Sequence, residues 1–165
     1  MALRRGPVQR GPGGSVLITL PVGERNILAH LAHGLVEVVS EVDPTQPPDA
    51  LRARLFPRAY EDPLDQNEYA EMNTEPLAAT KRKALDTFAA TLRAGTEKGG
   101  MWRAQLDDEQ VHAWLGVLND ARLVLGTVAG IETETDWEDL RDDADESAIL
   151  LDYLSMLQES LLELV

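Results

Sequence analysis

Two short apolar segments constrain the fold of this chain more than any other feature of the sequence. Each follows a pair of glycines, Gly13-Gly14 in one case and Gly99-Gly100 in the other, and each precedes a long segment with helical periodicity. Since an isolated strand leaves its backbone N–H and C=O groups unpaired, we expect the two segments to pair. The sequence therefore predicts a mainly α protein, a single-domain helical bundle with a small two-stranded antiparallel β element at about residues 15–20 and 101–106.

Apolar residues recur at helical spacing through most of the remaining chain. This pattern predicts helices at about 21–42, 49–56, 107–130 and 147–164. Between 62 and 95 it predicts two helices, because Thr74 followed by Pro76 is typical of an N-cap and the first turn of a new helix. The last helix carries a broad leucine stripe.

The two strand–helix segments also resemble one another. A shift of 86 residues superposes apolar positions of the first segment on those of the second. Either a duplicated unit or two independent strand–helix units explains this pattern. The superposed pairs are Leu20 with Leu106, Leu28 with Trp114, Leu31 with Val117 and Val39 with Leu125.

Composition excludes several classes of protein. The 165 residues suit one domain and include no cysteine, which excludes disulfides, thiolate zinc sites and cysteine nucleophiles. Charged residues interrupt every apolar run before the length of about 18 residues that a membrane span requires. The formal net charge of −14 disfavours binding to a phosphate backbone. With no secretory signal recognised and no cysteine, we expect a cytoplasmic protein.

Charge is unevenly distributed along the chain. Residues 1–14 are rich in glycine, proline and arginine, which predicts a flexible basic arm before a single helical domain at 15–165. From residue 130 onward, Arg141 is the one basic residue against twelve acidic residues. Residues 132–146 lack the spacing of a calcium loop, so we interpret them as an acidic connector that suits a basic protein surface.

Two groups of polar residues are candidates for chemistry. His30, His33 and Glu37 share one helix face at metal-ligand spacing, although a polar helix face opposite the apolar residues is the simpler explanation. No phosphate-binding glycine loop or serine nucleophile motif is present, which favours a protein without catalytic residues. The other group is Asn119, Asp120 and Arg122, which interrupt an otherwise apolar helix. They form either a buried network that sets helix register or a recognition surface.

The segment that contains Asn119, Asp120 and Arg122 also resembles a known family. Its pattern is Leu-Asn-Asp-x-Arg-Leu-x-Leu-Gly-Thr at 118–127, and Arg-Leu-Phe-Pro-x-Ala-Tyr at 54–60 fits as well. These motifs are similar to those of an uncharacterised actinobacterial domain family that includes the oxidative-stress regulator AosR. Genes of that family commonly lie beside the gene for the ClpS protease adaptor. The resemblance covers about residues 13–164.

The resemblance implies a transcription or stress-response regulator that works through a protein partner. The implied partners are a sigma factor, RNA polymerase or protease-adaptor machinery, and the regulator senses redox state through a cysteine pair. Because this chain has no cysteine, it cannot use that sensing chemistry. The residues that we expect to face the partner are Asn119, Asp120, Arg122, Phe56 and Tyr60.

The sequence thus predicts a non-catalytic, protein-binding module that needs no cofactor. Two alternatives stay open. One is a small metal-dependent enzyme that uses His30, His33 and Glu37, and the other is a structural homo-oligomer, such as a homodimer, packed through its C-terminal leucine stripe. Sequence-specific DNA binding is disfavoured, because the positive clusters are limited to 81–83 and to Arg4, Arg5 and Arg10.

Overall fold

The computed structural model describes residues 6–40, 50–57, 59, 61–143 and 145–165. Tyr60, Arg4 and Arg5 lie outside the described residues. The described chain is mostly helical, with a small antiparallel sheet, as the sequence predicts. The elements in chain order are β1 (Val8–Arg10), β2 (Val16–Pro21), α1 (Val22–Ser40), α2 (Ala50–Leu55), α3 (Pro63–Ala94), β3 (Thr96–Lys98), β4 (Met101–Leu106), α4 (Asp108–Val128), α5 (Glu134–Asp142) and α6 (Glu146–Leu162).

The sheet has four strands, so the predicted two-stranded element was wrong in its extent. The strand order is β1-β2-β4-β3, and every neighbouring pair is antiparallel. The predicted pairing of the two longer strands is confirmed, with Val16 opposite Leu106 and Pro21 opposite Met101. The two additional strands lie at the edges of the sheet.

The edge strands escaped the sequence analysis because each has only three residues. β1 lies within the segment that we assigned to the basic arm, where Gly and Arg dominate the composition. β3 is polar and exposed at every position, so it shows no alternation of apolar and polar residues. Gly99 and Gly100 both adopt positive φ, at 60° and 75°. That conformation suits the tight turn that joins β3 to β4.

The segment before β3 forms one long helix, so the predicted division into two helices was wrong. Asp62 caps its N-terminus by accepting hydrogen bonds from the Leu64 and Asp65 N–H groups. Pro76 lies inside the helix without ending it. Its ring removes one helical hydrogen bond. Because Pro76 is exposed, water can reach this part of the helix surface, and the helix continues to Ala94.

The predicted acidic connector contains helix α5. Thr133 and Asp136 form a capping box at its N-terminus, in which each side chain accepts a hydrogen bond from the backbone of the other. A local cap of this kind stabilises a helix that buries no residue. Five of the acidic residues of this segment therefore lie on α5.

The core lies between one face of the sheet and the helices. Val16, Ile18 and Leu20 of β2 point inward together with Trp102 and Leu106 of β4. Trp102 stacks on Trp114 of α4, with 6.1 Å between ring centroids. The Trp114 indole N–H donates to the buried Thr91 hydroxyl oxygen at 2.7 Å. This bond satisfies a polar group that would otherwise be costly to bury.

The register of the sheet reproduces the 86-residue shift. Ile18 lies opposite Ala104, and their residue numbers differ by 86. The strand pair β2–β4 is therefore centred on two positions that the shift superposes. Each of these strands is flanked by a short edge strand and followed directly by a long helix. The similarity between the two segments thus extends from the sequence to the order of their strands and helices and to the strand order of the sheet.

Candidate functional site

Helix α4 is the central element of the candidate site. It begins with a capping box between Asp107 and Gln110, and it packs against α1, α2, α3 and α6. A helix with neighbours on so many sides buries most of its apolar residues. Polar residues in the second half of α4 then either form hydrogen bonds to a neighbouring helix or face solvent between two neighbouring helices.

Asp120 joins α4 to α3. Both of its carboxylate oxygens accept hydrogen bonds from Lys81 Nζ at 3.0 Å, and both side chains are largely buried. Burial raises the pKa of Asp120 from its ordinary value, and the Lys81 charge offsets part of that effect. The ion pair is a tertiary contact between residues 39 positions apart, which no local pattern indicates.

Arg122 joins α4 to α6. Its Nη1 donates to the Gln158 side-chain oxygen at 2.6 Å, across 36 residues of sequence. Its Nε is buried and has no hydrogen-bond partner among the described residues. No described carboxylate forms an ion pair with it. The Arg122 guanidinium is thus held by one neutral amide and keeps an unneutralised charge.

The predicted partner-facing residues therefore occupy different environments. Asn119 is exposed on α4, whereas Asp120 and Arg122 connect α4 to its neighbouring helices. Phe56 follows α2, packs partly buried against the core, and belongs to the segment that contacts α4. Tyr60 lies outside the described residues. Asp120 and Arg122 set the packing of three helices, and among the four of these residues that the structure describes, Asn119 alone is exposed.

The structure does not bring the candidate metal ligands into a site. His30, His33 and Glu37 are all exposed on α1. Throughout the described ranges, no three His, Asp or Glu side chains form a group that could hold a metal ion. A shared helix face is therefore the full extent of their arrangement.

The last 36 residues, which include α5 and α6, carry twelve acidic residues and one arginine. Arg141 of α5 lies 3.7 Å from Asp152 of α6, with both side chains more than half exposed, and it also lies over the Trp137 ring. Hydrogen bonds from the Glu132 and Thr133 backbone N–H groups lower the pKa of Asp136 from its ordinary value. We refer to the exposed residues of 134–142 and 146–162 as the α5–α6 face.

This face also presents apolar side chains. Leu154, Leu157 and Leu161 of the predicted leucine stripe are buried within the chain, whereas Ile149, which the stripe also included, is exposed. Ile149 and Met156 lie on the other side of α6, two turns apart, and are 61% and 40% exposed. The exposed positions between and beyond them include Asp152 and Glu159. The α5–α6 face is therefore acidic with accessible apolar side chains, and Leu162 near the end of α6 is 53% exposed as well.

Comparison with known families gives one match. A family described as a domain of unknown function, DUF2017, matches residues 5–165. The chain belongs to the DUF2017 family. No curated protein and no solved structure matches it. The match covers the described core, the α4 signature and the α5–α6 face of this DUF2017 domain together.

Sequence reasoning missed the side chains that complete these contacts in the DUF2017 domain. Each of these hydrogen bonds joins residues more than 30 positions apart in the sequence. They are made by Lys81, by Gln158 and by the pair of Tyr153 with Glu24. The Tyr153 hydroxyl donates to Glu24 Oε2 at 2.9 Å, which joins α6 to α1. Burial, with the adjacent Glu24 carboxylate, raises the pKa of the Tyr153 hydroxyl. Only the interruption of an apolar helix by Asp120 and Arg122 signalled such a network.

None of the described helices of this DUF2017 domain has an apolar stretch long enough to cross a bilayer.

Proposed function

We propose that this DUF2017 domain is a non-catalytic, cytoplasmic protein-binding module that works as a single domain. Its partner-binding surface is the α5–α6 face, with Asn119 of α4 as an accessible polar residue of the signature. Asp120 and Arg122 support that surface by fixing α4 against α3 and α6. Phe56 and Tyr60 belong to the same proposal through the segment that follows α2.

One observation carries this proposal: α6 presents apolar side chains outside the core. Leu154 and Leu157 already anchor the helix to the fold, so Ile149 and Met156 are not needed for that contact. Exposed apolar side chains surrounded by charged residues are typical of surfaces that bind another protein. Single exposed residues are common, but residues seven positions apart lie on the same side of a helix, so one partner can contact both Ile149 and Met156.

Charge identifies the chemistry of the partner. Residues 130–165 carry twelve acidic residues and one arginine, so the partner surface needs lysine or arginine around an apolar centre. Electrostatic attraction of this kind speeds association and weakens as salt screens it. The partner is therefore a protein with a basic and apolar surface.

The resemblance to the AosR-containing family supports a specific context for this binding. We propose an actinobacterial transcription or stress-response regulator whose partner is a sigma factor, RNA polymerase or protease-adaptor machinery. Regulation here depends on protein contact, because a chain without cysteine has no thiol to oxidise. The shared signature of α4 is the basis for carrying the role over.

Affinity purification from the native cell tests the proposal. The tagged full chain should retain a basic partner from one of these three classes. The double variant Ile149→Asp with Met156→Asp should lose that partner, because it replaces the apolar centre with charge. Met72→Asp is the matched control, since Met72 is exposed on α3 and lies outside the α5–α6 face.

Titration with the purified partner then separates specific from incidental capture. Binding to the wild type and to Met72→Asp should be equal and should weaken as salt is raised. Equal binding by the double variant would contradict the proposed surface. A partner that belongs to none of the three classes would contradict the regulatory context while leaving the surface intact.

A further inference from the structure

The sheet has an open edge beyond the end of β3. β3 begins at Thr96, which lies opposite Arg103, and the preceding chain leaves the sheet as α3. Residues of β4 after Arg103 therefore have no strand on that side. Native sheets usually protect such edges, because unpaired backbone groups can pair with another chain.

Gln105 directs its backbone toward this open edge. The Val22 N–H donates to the Gly100 carbonyl oxygen, which shows that even-numbered residues at this end of β4 face β2. Since successive residues in a strand alternate in direction, the Gln105 N–H and C=O point away from β2. β3 supplies no residue opposite Gln105, and no turn or loop group in the described chain bonds to its backbone. One donor and one acceptor are therefore free.

A cavity of about 350 Å³ lies beside these groups. Its apolar walls include Leu17 and Ala104 of the sheet and Ala94 at the end of α3. Gly95 completes the wall, and a side chain there would collide with the Trp102 indole. The glycine thus lets Trp102 pack in the core. At Gly95, the wall of the cavity beside the open edge is therefore formed by backbone atoms alone.

The charge in this cavity has the opposite sign to that of the whole chain. Among the described residues, Arg103 is the one charged residue that lines it. By register, Lys98 shares the face of Arg103, whereas Glu97 shares the other face with Trp102. No other acidic residue occurs in the four strands. A protein with a net charge of −14 therefore keeps a small positive site at this edge.

We propose that this cavity, the β4-edge pocket, binds the carboxylate end of an acylated amino acid, the group found at the C-terminus of a polypeptide. The ligand continues the direction of β3 and runs antiparallel to β4. Its last residue exchanges backbone hydrogen bonds with Gln105, and its carboxylate then lies toward Arg103. The apolar walls accept its last side chain. Both strand addition and capture of a terminal carboxylate are established modes of peptide recognition.

This pocket uses no residue of the α5–α6 face, so its occupancy goes beyond the proposed function. Failure of either idea leaves the other standing. The two sites also differ in chemistry: one is acidic with exposed apolar residues, and the other is a concave site with a single guanidinium.

Titration of the full chain with the acetylated tripeptide Ala-Ala-Leu tests the pocket. In nuclear magnetic resonance spectra of ¹⁵N-labelled protein, the backbone amide signals of Gln105, Thr96 and Arg103 should shift. The same tripeptide with its C-terminus amidated should bind about tenfold more weakly, because it loses the charge-assisted bond to Arg103. Equal binding of the acid and the amide, or shifts confined to residues outside the pocket, would overturn the proposal.

Two substitutions give a matched comparison. Arg103→Gln should reduce affinity for the acid about tenfold and leave affinity for the amide unchanged. Arg93→Gln is the control, since Arg93 is exposed near the end of α3 but does not line the pocket. Circular dichroism checks that both variants fold. Unchanged affinity for the acid in Arg103→Gln would refute the role of this residue.

A last comparison distinguishes the two sources of the ligand. N-acetyl-leucine carries the carboxylate and one acylated residue, whereas the acetylated tripeptide adds a second and third residue. Tighter binding of the tripeptide identifies a polypeptide C-terminus. Equal binding of the two identifies a free acylated amino acid. Both results support the pocket, and binding of neither compound would exclude it.

Discussion

The two strand–helix units of this domain share one construction but have different surroundings. In both, a central strand leads into a long helix whose inner face is buried, with Leu28 of α1 at the position of Trp114 of α4. Helix α4 is covered by α2, α3 and α6, whereas α1 exposes Ile27 and Val36. The residues that the shift superposes on these are Ala113, which is buried, and Arg122, which contacts α6. The positions at which the two units agree thus form the core. The positions at which they differ determine which helices pack against each unit.

The largest effect should come from the core positions that the two units share. Trp114→Ala should lower the free energy of unfolding by about 3–5 kcal/mol, because the indole packs against Trp102 and Phe88 and is fully buried. Leu28→Ala, at the equivalent position, should cost toward the lower end of about 2–5 kcal/mol. Urea unfolding followed by circular dichroism measures both. A smaller effect for Trp114→Ala than for Leu28→Ala would contradict the expectation that Trp114 contributes more to the core than its counterpart in α1.

The next effect should come from the ion pair found only in the second unit. Lys81→Met leaves the Asp120 carboxylate largely buried without its partner, which should cost about 1–3 kcal/mol at neutral pH. Gly34, the position in α1 that the shift superposes on Asp120, has open space around it. Gly34→Ala should therefore stabilise the helix by about 0.5–1 kcal/mol. Thermal unfolding measures both variants: Lys81→Met should lower the melting temperature and Gly34→Ala should raise it. Destabilisation by Gly34→Ala would contradict the predicted difference between the two units.

The pH dependence of this pair follows from the raised pKa of Asp120. When the pKa of a carboxyl is higher in the folded state than in the unfolded state, the folded state binds the proton more tightly. Its contribution to stability is therefore present below the unfolded pKa and is lost as pH rises through the folded pKa. As pH rises through the folded pKa of Asp120, we expect Lys81→Met to lose stability more steeply than the wild type. An identical slope in the two proteins would show that Lys81 does not control the Asp120 carboxyl.

Alanine substitutions at Arg122 and at its counterpart Val36 should differ moderately in their effect on the free energy of unfolding. Arg122→Ala removes the hydrogen bond to Gln158 and some packing, which should cost about 1 kcal/mol. Val36 is 43% exposed, so Val36→Ala should cost less than about 0.5 kcal/mol. Chemical unfolding measures both. Equal losses in Arg122→Ala and Val36→Ala would contradict the role of Arg122 in fixing α4 against α6.

The smallest effect concerns α5, which the 86-residue shift superposes on the position of α2 in the first unit, but which buries no residue. The lowered pKa of Asp136 means that its ionised form contributes stability above the unfolded pKa of the carboxyl, and this contribution is lost as pH falls through the folded pKa. In the wild type, α5 should therefore become slightly less ordered as pH falls. Asp136→Asn should remove this dependence on pH. Amide hydrogen exchange of residues 134–142 at neutral and acidic pH measures it. Equal exchange in the two proteins would show that the capping box does not hold the helix.

The sequence predicted elements whose signals are local. Periodicity located α1, α4 and α6 within a few residues, and two β-branched or apolar segments located β2 and β4. It failed where the local signal was weak or misleading. β3 is too short and polar to show alternation, and Pro76 is typical of a helix start although the surrounding residues sustain one helix. Asp120 and Arg122 were recognised as unusual, but their partners lie 39 and 36 residues away.

By itself the sequence determined the helical class, the pairing of the two longer strands, the acidic charge of the last 36 residues and the absence of thiol chemistry. These properties follow from residue type and short-range spacing, which a linear chain displays directly. Only the tertiary structure decided that Asp120 meets Lys81, that α6 buries its leucines while Ile149 and Met156 stay exposed, and that β4 has an open edge at Gln105. These depend on which distant surfaces pack together, because burial and unpaired backbone are properties of neighbours that the chain order does not specify.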